Sequence, residues 1–388
     1  MYIMKFLFIC GALEPGRDGV GDYTRRLAGA VQSFGHQSSI IALFDPYIGE
    51  ETIAAQPAEN STVQVLRIAS HTGHIDRYRR VTEWVNAFEP LWISLQFVPY
   101  AFNPKGLPFS LARELQKLLV RDRRMHIMFH ETWIGTENSV DWKRWLTAAL
   151  QQKIIRRMIK SLQPVIIHTQ LPVAQRNLET IVPGIQPLPL FSNIEIYNQP
   201  TPAANPVVRV GFFSQAAASP PIVSFIETLC CNAETAGKQV ELLFIGGDPV
   251  RMKEAGDTFN KSGRFTDKIF YTGFLPPEGI SAALQGCSLG ITLVPRHALG
   301  KSGSVAAFLQ HGIPVAAPVV YPGKQPDDIG FFSGNLCFAI VCTPDLHALA
   351  VAKEAAMMAR CEIDLPVITK LFIENMYAQT PGVKQPSF

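Results

Sequence analysis

Leu289–Val315 reads LGITLVPRHALGKSGSVAAFLQHGIPV. The aliphatic run Leu289–Val294 predicts a strand. It is followed by the loop Pro295-Arg-His-Ala-Leu-Gly300, and then by Lys301-Ser302-Gly303-Ser304 opening an apolar helix that stops at His311-Gly312. Strand, loop and helix in this order make half of a βαβ unit, whose strand must pair in parallel. First-turn N–H groups, the helix dipole and a lysine meet at Lys301–Ser304, which suits an anionic phosphate. A P-loop would need glycine where Pro295 stands, and the following strand, Ala316–Val320, lacks a terminal Asp for magnesium, which argues against a nucleoside triphosphatase. A surface lysine at a helix start is the plain alternative.

The same alternation extends in both directions. Ile3–Ile9, Ser39–Leu43, Val63–Arg67, Leu91–Phe97, Met125–Phe129 and Val165–His168 read as strands, and Asp22–Phe34 as a helix with one apolar face and Gly35 as its stop. Asn198–Pro206, with three prolines and no periodicity, reads as a linker. Beyond it Val207–Phe213, Val240–Ile245, Lys268–Thr272, Leu289–Val294, Pro314–Ala317 and Leu336–Val341 read as strands. Thr343–Arg360 reads as a helix entered through Thr343-Pro344, and a final helix is expected at Pro366–Gln379. The expectation is α/β, with two doubly wound Rossmann-like domains at 1–197 and 207–364 and a C-terminal helix and tail, 365–388, packing back on the first.

With 388 residues, 47% hydrophobic and 17% charged, the chain is long enough for two full cores. No apolar run reaches the ~18–20 residues of a membrane span, and Lys5 and Glu14-Pro15-Gly16 do not fit a signal peptide. Seven scattered cysteines without a CxxC spacing indicate neither a disulfide framework nor a zinc site, so a reduced, cytoplasmic location is expected. A net charge of +3 is too small to argue for a nucleic-acid partner. The excess lies in residues 1–195, with 21 Lys/Arg against 17 Asp/Glu, and Trp142–Leu162 has six basic residues and no acidic one. That stretch carries two apolar stripes about half a turn apart, the first at positions 142, 145, 146, 149 and 150 and the second at 154, 155, 158, 159 and 162, opposite Lys153, Arg156, Arg157 and Lys160. A solvated helix face and a peripheral contact with the inner face of a membrane are the two readings.

Two further segments carry chemistry. Glycines 16, 19 and 21 follow the first strand, spaced GxxGxG rather than as the GxGxxG of a dinucleotide turn, and serve either a ligand or a tight turn. Met125–Phe129 delivers His130-Glu131 to a strand end, where an imidazole can donate a hydrogen bond or move a proton. A core-edge histidine is the alternative.

Val210-Gly211-Phe-Phe-Ser214, Leu243-Phe-Ile-Gly246-Gly247, Tyr271-Thr-Gly-Phe274, Ala282–Gly290 and His311-Gly-Ile-Pro-Val315, in this order, resemble the nucleotide-sugar domain of GT-B glycosyltransferases, specifically family 4. Gly19-Val-Gly21-Asp-Tyr23 and Leu188-Pro-Leu-Phe-Ser-Asn193 are similar to that family's glycine loop and pre-linker segment. Two places depart from it. Phe212 and the neutral Ser214–Ser219 stand where the family has an Arg and a Lys, and its paired glutamates fall on Leu299 and Ala307. Arg296 and Lys301 are expected to return the missing positive charge.

The resemblance implies two domains facing a cleft and transfer of a sugar from a nucleotide diphosphate sugar to a glycan, lipid-linked or small-molecule acceptor, with retention of configuration. The donor is a substrate, and no cofactor is expected. No Asp-x-Asp occurs in the sequence, and a metal-independent reaction is expected. His130 would face the anomeric centre or donor hydroxyls, and in an inverting reaction Asp18, Asp22, Glu131 or His130 would be the base. Donor contacts would come from Gly19, Gly21, Ser214, Gly246, Gly247, Phe274, Arg296, Lys301, Ser302, Gly303 and Ser304. A silent GT-B partner subunit, a sugar-nucleotide epimerase and, least, an oxidoreductase are the rivals.

Overall fold

The computed structural model describes residues 2–120, 122–134, 142–197 and 207–380. The expected linker, 198–206, lies outside them. Two compact units are present: Met1–Leu188 with Leu365–Phe388, and Pro189–Asp364. Residues 189–197, assigned to the first domain from sequence, belong to the second unit. There Tyr197 donates its N–H to Ser281 Oγ at 3.0 Å and accepts from Gln285 Nε2 at 2.7 Å.

In the first unit the elements are β1 (Lys5–Cys10), α1 (Gly19–Ser33), β2 (Gln37–Asp45), β3 (Thr52–Ala58), β4 (Ser61–Ala69), α2 (His74–Phe88), β5 (Trp92–Phe97), α3 (Pro99–Phe102) and α4 (Leu111–Gln116). They continue with β6 (Arg124–Phe129), α5 (Trp142–Leu162), β7 (Ile166–Thr169), α6 (Pro172–Glu179) and β8 (Gln186–Pro187). The sheet order is β3-β4-β2-β1-β5-β6-β7-β8, parallel except for the antiparallel β3–β4 edge. Sequence reading missed β3: TIAAQPA is poor in β-formers and holds Pro57, a residue that edge strands tolerate.

The second unit contains β9 (Val207–Phe213), α7 (Pro220–Thr235), β10 (Gln239–Ile245), α8 (Pro249–Phe259), β11 (Ile269–Tyr271), α9 (Pro277–Gln285), β12 (Leu289–Ile291), α10 (Gly303–Gln310), β13 (Val315–Ala316), α11 (Gly334–Phe338), β14 (Ile340–Val341) and α12 (Leu346–Ala359). Its sheet, β11-β10-β9-β12-β13-β14, is parallel throughout. Leu336 sits in a short helix, not in the expected strand, and α12 starts after Asp345, whose carboxylate caps Ala348 N–H at 3.0 Å, rather than at Thr343. β12 and its neighbour β9 each present a glycine to α10. A Cβ on Gly290 would lie 2.5 Å from the Phe308 ring and one on Gly211 3.1 Å from it, so α10 seats Phe308 in a notch that only glycine leaves open.

The period-2 alternation of the first sheet separates two chemically different faces. Leu7, Ile9, Ile93, Leu95, Phe97, Ile127 and Phe129 join Val81 and Val85 of α2 and Ile155 and Met158 of α5 in one apolar core. The opposite pleat carries Phe6 and Phe8, but also Ser94, Gln96, His126, His130 and His168, all buried. The final helix, α13 (Leu365–Ala378), covers it: Phe372 packs on Phe6, Phe8, His126 and His168, and Tyr377 Oη donates to Tyr2 O at 2.6 Å. The polar groups are paired among themselves, as burial demands. His126 Nδ1 lies 2.7 Å from Ser94 Oγ, His126 Nε2 3.0 Å from His168 Nδ1, and His168 Nε2 3.0 Å from Asn375 Nδ2.

α5 is one continuous helix, and the two stripes read in its sequence have different fates. Ile154, Ile155, Met158, Ile159 and Leu162 are buried, while Trp142 and Trp145 stand 69% and 67% exposed.

Burial lowers the basicity of His130 to about 4 and of His168 to about 3, and pushes His126 well below its ordinary value. The unfolded chain therefore takes up protons below about pH 6.5 that the folded chain refuses until near pH 4. Each histidine should cost about 1.4 kcal/mol of stability per pH unit across that window. Urea midpoints are expected to fall steeply from pH 7 to pH 5, and a flat profile would contradict neutral burial. Gly290→Ala should overpack Phe308 and destabilise the second unit by about 1–3 kcal/mol, read as a lowered thermal midpoint.

Candidate functional site

The parallel strands of each sheet place the loops after them along one edge, and the sequence candidates fall on these loops. In the first unit, Asp18 is the N-cap of α1: its carboxylate accepts from Gly21 N at 2.5 Å, and burial raises its pKa. α1 starts at Gly19 rather than at Asp22, so Gly19 and Gly21 form its first turn instead of a free loop. Gly21 is buried, and a Cβ there would lie 2.6 Å from Ala12 O. Its glycine is thus explained by helix packing, whereas exposed Gly19 has open space before it. Gly16, at φ +70°, makes the turn, and its N–H donates to both carboxylate oxygens of Asp22 at 3.1 and 3.2 Å.

The loop after β1 is anchored from below. Asp45, fully buried, accepts from Leu13 N at 3.1 Å and from Arg67 Nε at 2.7 Å, and Arg67 Nη2 donates to Glu14 at 2.7 Å. Sequence reasoning did not find this arrangement, because its members are far apart in the chain.

His130 follows β6 and is 7% exposed. Its Nε2 lies 2.9 Å from Gln96 Oε1, its ring meets Tyr23 of α1 edge-on at 4.9 Å, and Gln170 also hydrogen-bonds it. It is held as a neutral imidazole by burial. Glu131 is exposed, with its N–H on Phe97 O at 3.5 Å.

In the second unit, Ser214 ends β9 at φ +66° and donates its N–H to Ile245 O at 3.0 Å. Gly246 and Gly247 end β10 at φ +59° and +76°, and a Cβ on Gly247 would lie 2.6 Å from Ser214 O. These three sequence candidates are therefore brought together. A cavity of about 680 Å³ opens beside them, lined by Ser214–Ala218, by Asp248 and Arg251 at the head of α8, and by Leu293 after β12. A second, of about 300 Å³, lies against Gly246, Gly247, Lys253 and Tyr271. Phe274 stands 96% exposed just past β11.

Lys301, exposed, ends a 3₁₀ turn at Arg296–Lys301. Ser302 caps α10, its Oγ accepting from Val305 N at 3.4 Å and lying 3.1 Å from Ser304 Oγ. Gly303 has open space before it. Arg296 corrects the sequence expectation. Its guanidinium donates to Ala317 O at 2.7 Å, Pro326 O at 2.7 Å and Cys342 O at 3.1 Å, tying together the segments after β13 and β14. It staples carbonyls instead of presenting charge to a diphosphate. Arg251, which sequence reading passed over because it lies inside an ordinary helical segment, is the cation that lines the larger cavity. Leu299 and Ala307, where the paired glutamates would fall, are 1% and 0% exposed and belong to an apolar core.

Among the described residues no group of three His, Cys, Asp or Glu is arranged to hold a metal ion, and no helix is long and apolar enough to cross a membrane.

No protein-family model matches the sequence, and no curated protein does. Solved structures do match. Sucrose-phosphate synthase from Thermosynechococcus elongatus is similar over 97% of this chain and 98% of its own, with TM-score 0.61 and 12% identity. Anabaena HepE in complex with UDP-glucose matches over 97% of this chain and 100% of its own, with TM-score 0.57 and 13% identity. A putative UDP-N-acetylglucosamine 2-epimerase from Listeria monocytogenes covers 100% and 99%, with TM-score 0.51 and 12% identity. At such identities the likeness is one of fold: this chain is α/β with two Rossmann-like domains, and its structural neighbours include GT-B glycosyltransferases.

Proposed function

We propose that the protein is a glycosyltransferase of the family 4 type that moves a sugar from a nucleoside diphosphate sugar to an acceptor without a metal and with retention of configuration. The observation that carries this reading is the meeting of Ser214 with Gly246 and Gly247 at the strand ends of the second unit, between one cavity lined by Ser214 and Arg251 and a smaller one lined by the two glycines. It is supported by likeness over almost the whole chain to a protein holding UDP-glucose. In this reading the left-handed glycines let a nucleotide approach backbone, while Lys301 and the amide end of α10 stabilise the departing diphosphate. Arg251 supplies the second positive charge, in place of Arg296. His130 meets a sugar hydroxyl, and acceptor binding falls to the first unit.

A second reading, sugar-nucleotide epimerisation, is favoured by the Listeria neighbour. It needs no acceptor. Titration calorimetry with UDP and turnover assays over a panel of nucleotide sugars, with and without acceptors, separate the two. Lys301→Ala is expected to weaken UDP binding about tenfold or more, as loss of a charge-assisted phosphate contact does. His130→Ala is expected to lower turnover about 100-fold with little change in UDP affinity. Conversion of donor alone would replace transfer by epimerisation. UDP affinity unchanged in Lys301→Ala would remove Lys301 from the site.

The exposed head of α5 bears on the acceptor. Trp142 and Trp145 stand beside Lys143 and Arg144, a pairing of aromatic and basic side chains that suits an anionic bilayer surface. In the same reading the enzyme works in the cytoplasm against the inner face of a membrane, on a lipid-linked acceptor. Co-sedimentation should then be stronger with anionic than with neutral vesicles and should weaken in Trp142→Ser/Trp145→Ser. Equal recovery with both vesicle types would make the acceptor a soluble glycan or small molecule.

A further inference from the structure

His130 is tied to a hydrogen-bonded row that the reaction outlined above does not use. The row runs from His130 Nε2 to Gln96 Oε1 at 2.9 Å and from Gln96 Nε2 to Ser94 Oγ at 2.8 Å. It continues through His126 and His168 to Asn375 of α13. Gln96, Ser94, His126 and His168 are all completely buried, and all lie on one pleat face of three adjacent strands. A mid-strand Ser, Gln or His on such a face is costly unless paired, so the row exists only as a set.

His130 can give a single ring proton to a single partner. A neutral imidazole has one N–H and one lone pair, so only one glutamine carbonyl can accept from His130. Two are near: Gln96 and Gln170. Gln96 is oriented with its Nε2 donating to Ser94 Oγ at 2.8 Å, which leaves Oε1 facing His130. Nothing orients Gln170 in this way. Its Nε2 is buried without a partner among the described residues, and turning its amide over would satisfy that group by donating to the remaining ring nitrogen. Ser94 is in turn held by His126 at 2.7 Å, so His126, His168 and Asn375 keep the serine, and through it the glutamine, in register.

We propose that Gln96 is the positioning residue of His130, accepting its Nε2 proton and leaving Nδ1 as the lone-pair nitrogen that receives a hydrogen bond from a sugar hydroxyl. The hydroxyl in that statement rests on the nucleotide-sugar reading, while the tautomer does not. In the absence of substrate, Gln170 Nε2 with its amide turned over would take the place of the hydroxyl. His130 is thus an acceptor toward substrate, and cannot donate to a leaving oxygen without a second proton. The C-terminal helix, through Asn375, becomes part of the support of the site.

The test is a long-range ¹H–¹⁵N correlation spectrum of the full chain labelled in histidine, at pH 7, with His130→Gln identifying the His130 signals. The wild type is expected to show a neutral ring protonated at Nε2. Gln96→Leu should shift it to the Nδ1–H form or an exchanging mixture, and Gln96→Glu, which still accepts, should keep the proton on Nε2. A wild-type ring protonated at Nδ1, or a ring unchanged in Gln96→Leu, overturns the proposal. If Gln96→Leu does not fold, Gln96→Glu decides: a neutral Nδ1–H ring in that variant overturns it. On a nucleotide sugar that the wild type turns over, Gln96→Leu should lower kcat about tenfold or more with the donor KM nearly unchanged, and Gln96→Glu should recover part of it. An Nε2–H ring in a protein that uses no nucleotide sugar would sink the functional reading and leave the positioning role standing. An active wild type whose tautomer ignores Gln96 would do the reverse.

Discussion

Parallel strand pairing is the constraint from which the rest of this molecule follows. Each parallel strand must be reached by a crossover, so the segment leaving one strand and entering the next helix always emerges at the same edge of its sheet. Asp18, His130, Ser214, Gly246 and the Lys301–Ser304 turn each follow a different strand and stand at such an edge. The edge also leaves helix N-termini and strand-end amides without strand partners, and the left-handed residues Ser214, Gly246 and Gly247 stand there directly after β9 and β10.

The first sheet obeys a second constraint. One of its faces is an ordinary apolar core, but the other buries three histidines, a serine and a glutamine. Desolvation keeps the histidines neutral, and neutral imidazoles pair well because each has one donor and one acceptor. Such a face is incomplete without its cover. The last helix supplies both kinds of contact it needs, Phe372 for the rings and Asn375 for His168. A segment that follows the whole second unit in sequence is therefore part of the core of the first.

Charge in the second unit is arranged differently from what a linear reading suggests. Arg296 lies close to Lys301 in sequence, yet its planar fork matches three carbonyls, and this arrangement turns it into the sheet edge. Arg251, about fifty residues earlier in the chain, reaches the cavity because α8 begins at the neighbouring strand end. The positions of the missing glutamates are filled by Leu299 and Ala307, which pack inward and offer nothing to a ligand.

Much of this was legible in the sequence, and for a physical reason. Apolar periodicity and glycine or proline punctuation are local properties, so twelve strands in two groups, the helix ending at Gly35 and the final helix could be read without coordinates. His130 could be singled out for the same reason, since an imidazole directly after an apolar strand is visible in a few residues. β3 could not, because its pairing with β4 outweighs a poor local propensity. Nor could the true start of α1, where Asp18 rather than Asp22 caps the first turn. What only the tertiary structure decided are the matters that depend on distance through space: that Arg296 is a staple, that Arg251 lines a cavity, and that Gln96 and Asn375 stand behind His130. Hydrogen bonds between residues as far apart in the chain as Asn375 and His168 leave no periodicity in a sequence, because only the folded sheet brings their donors and acceptors within 3 Å.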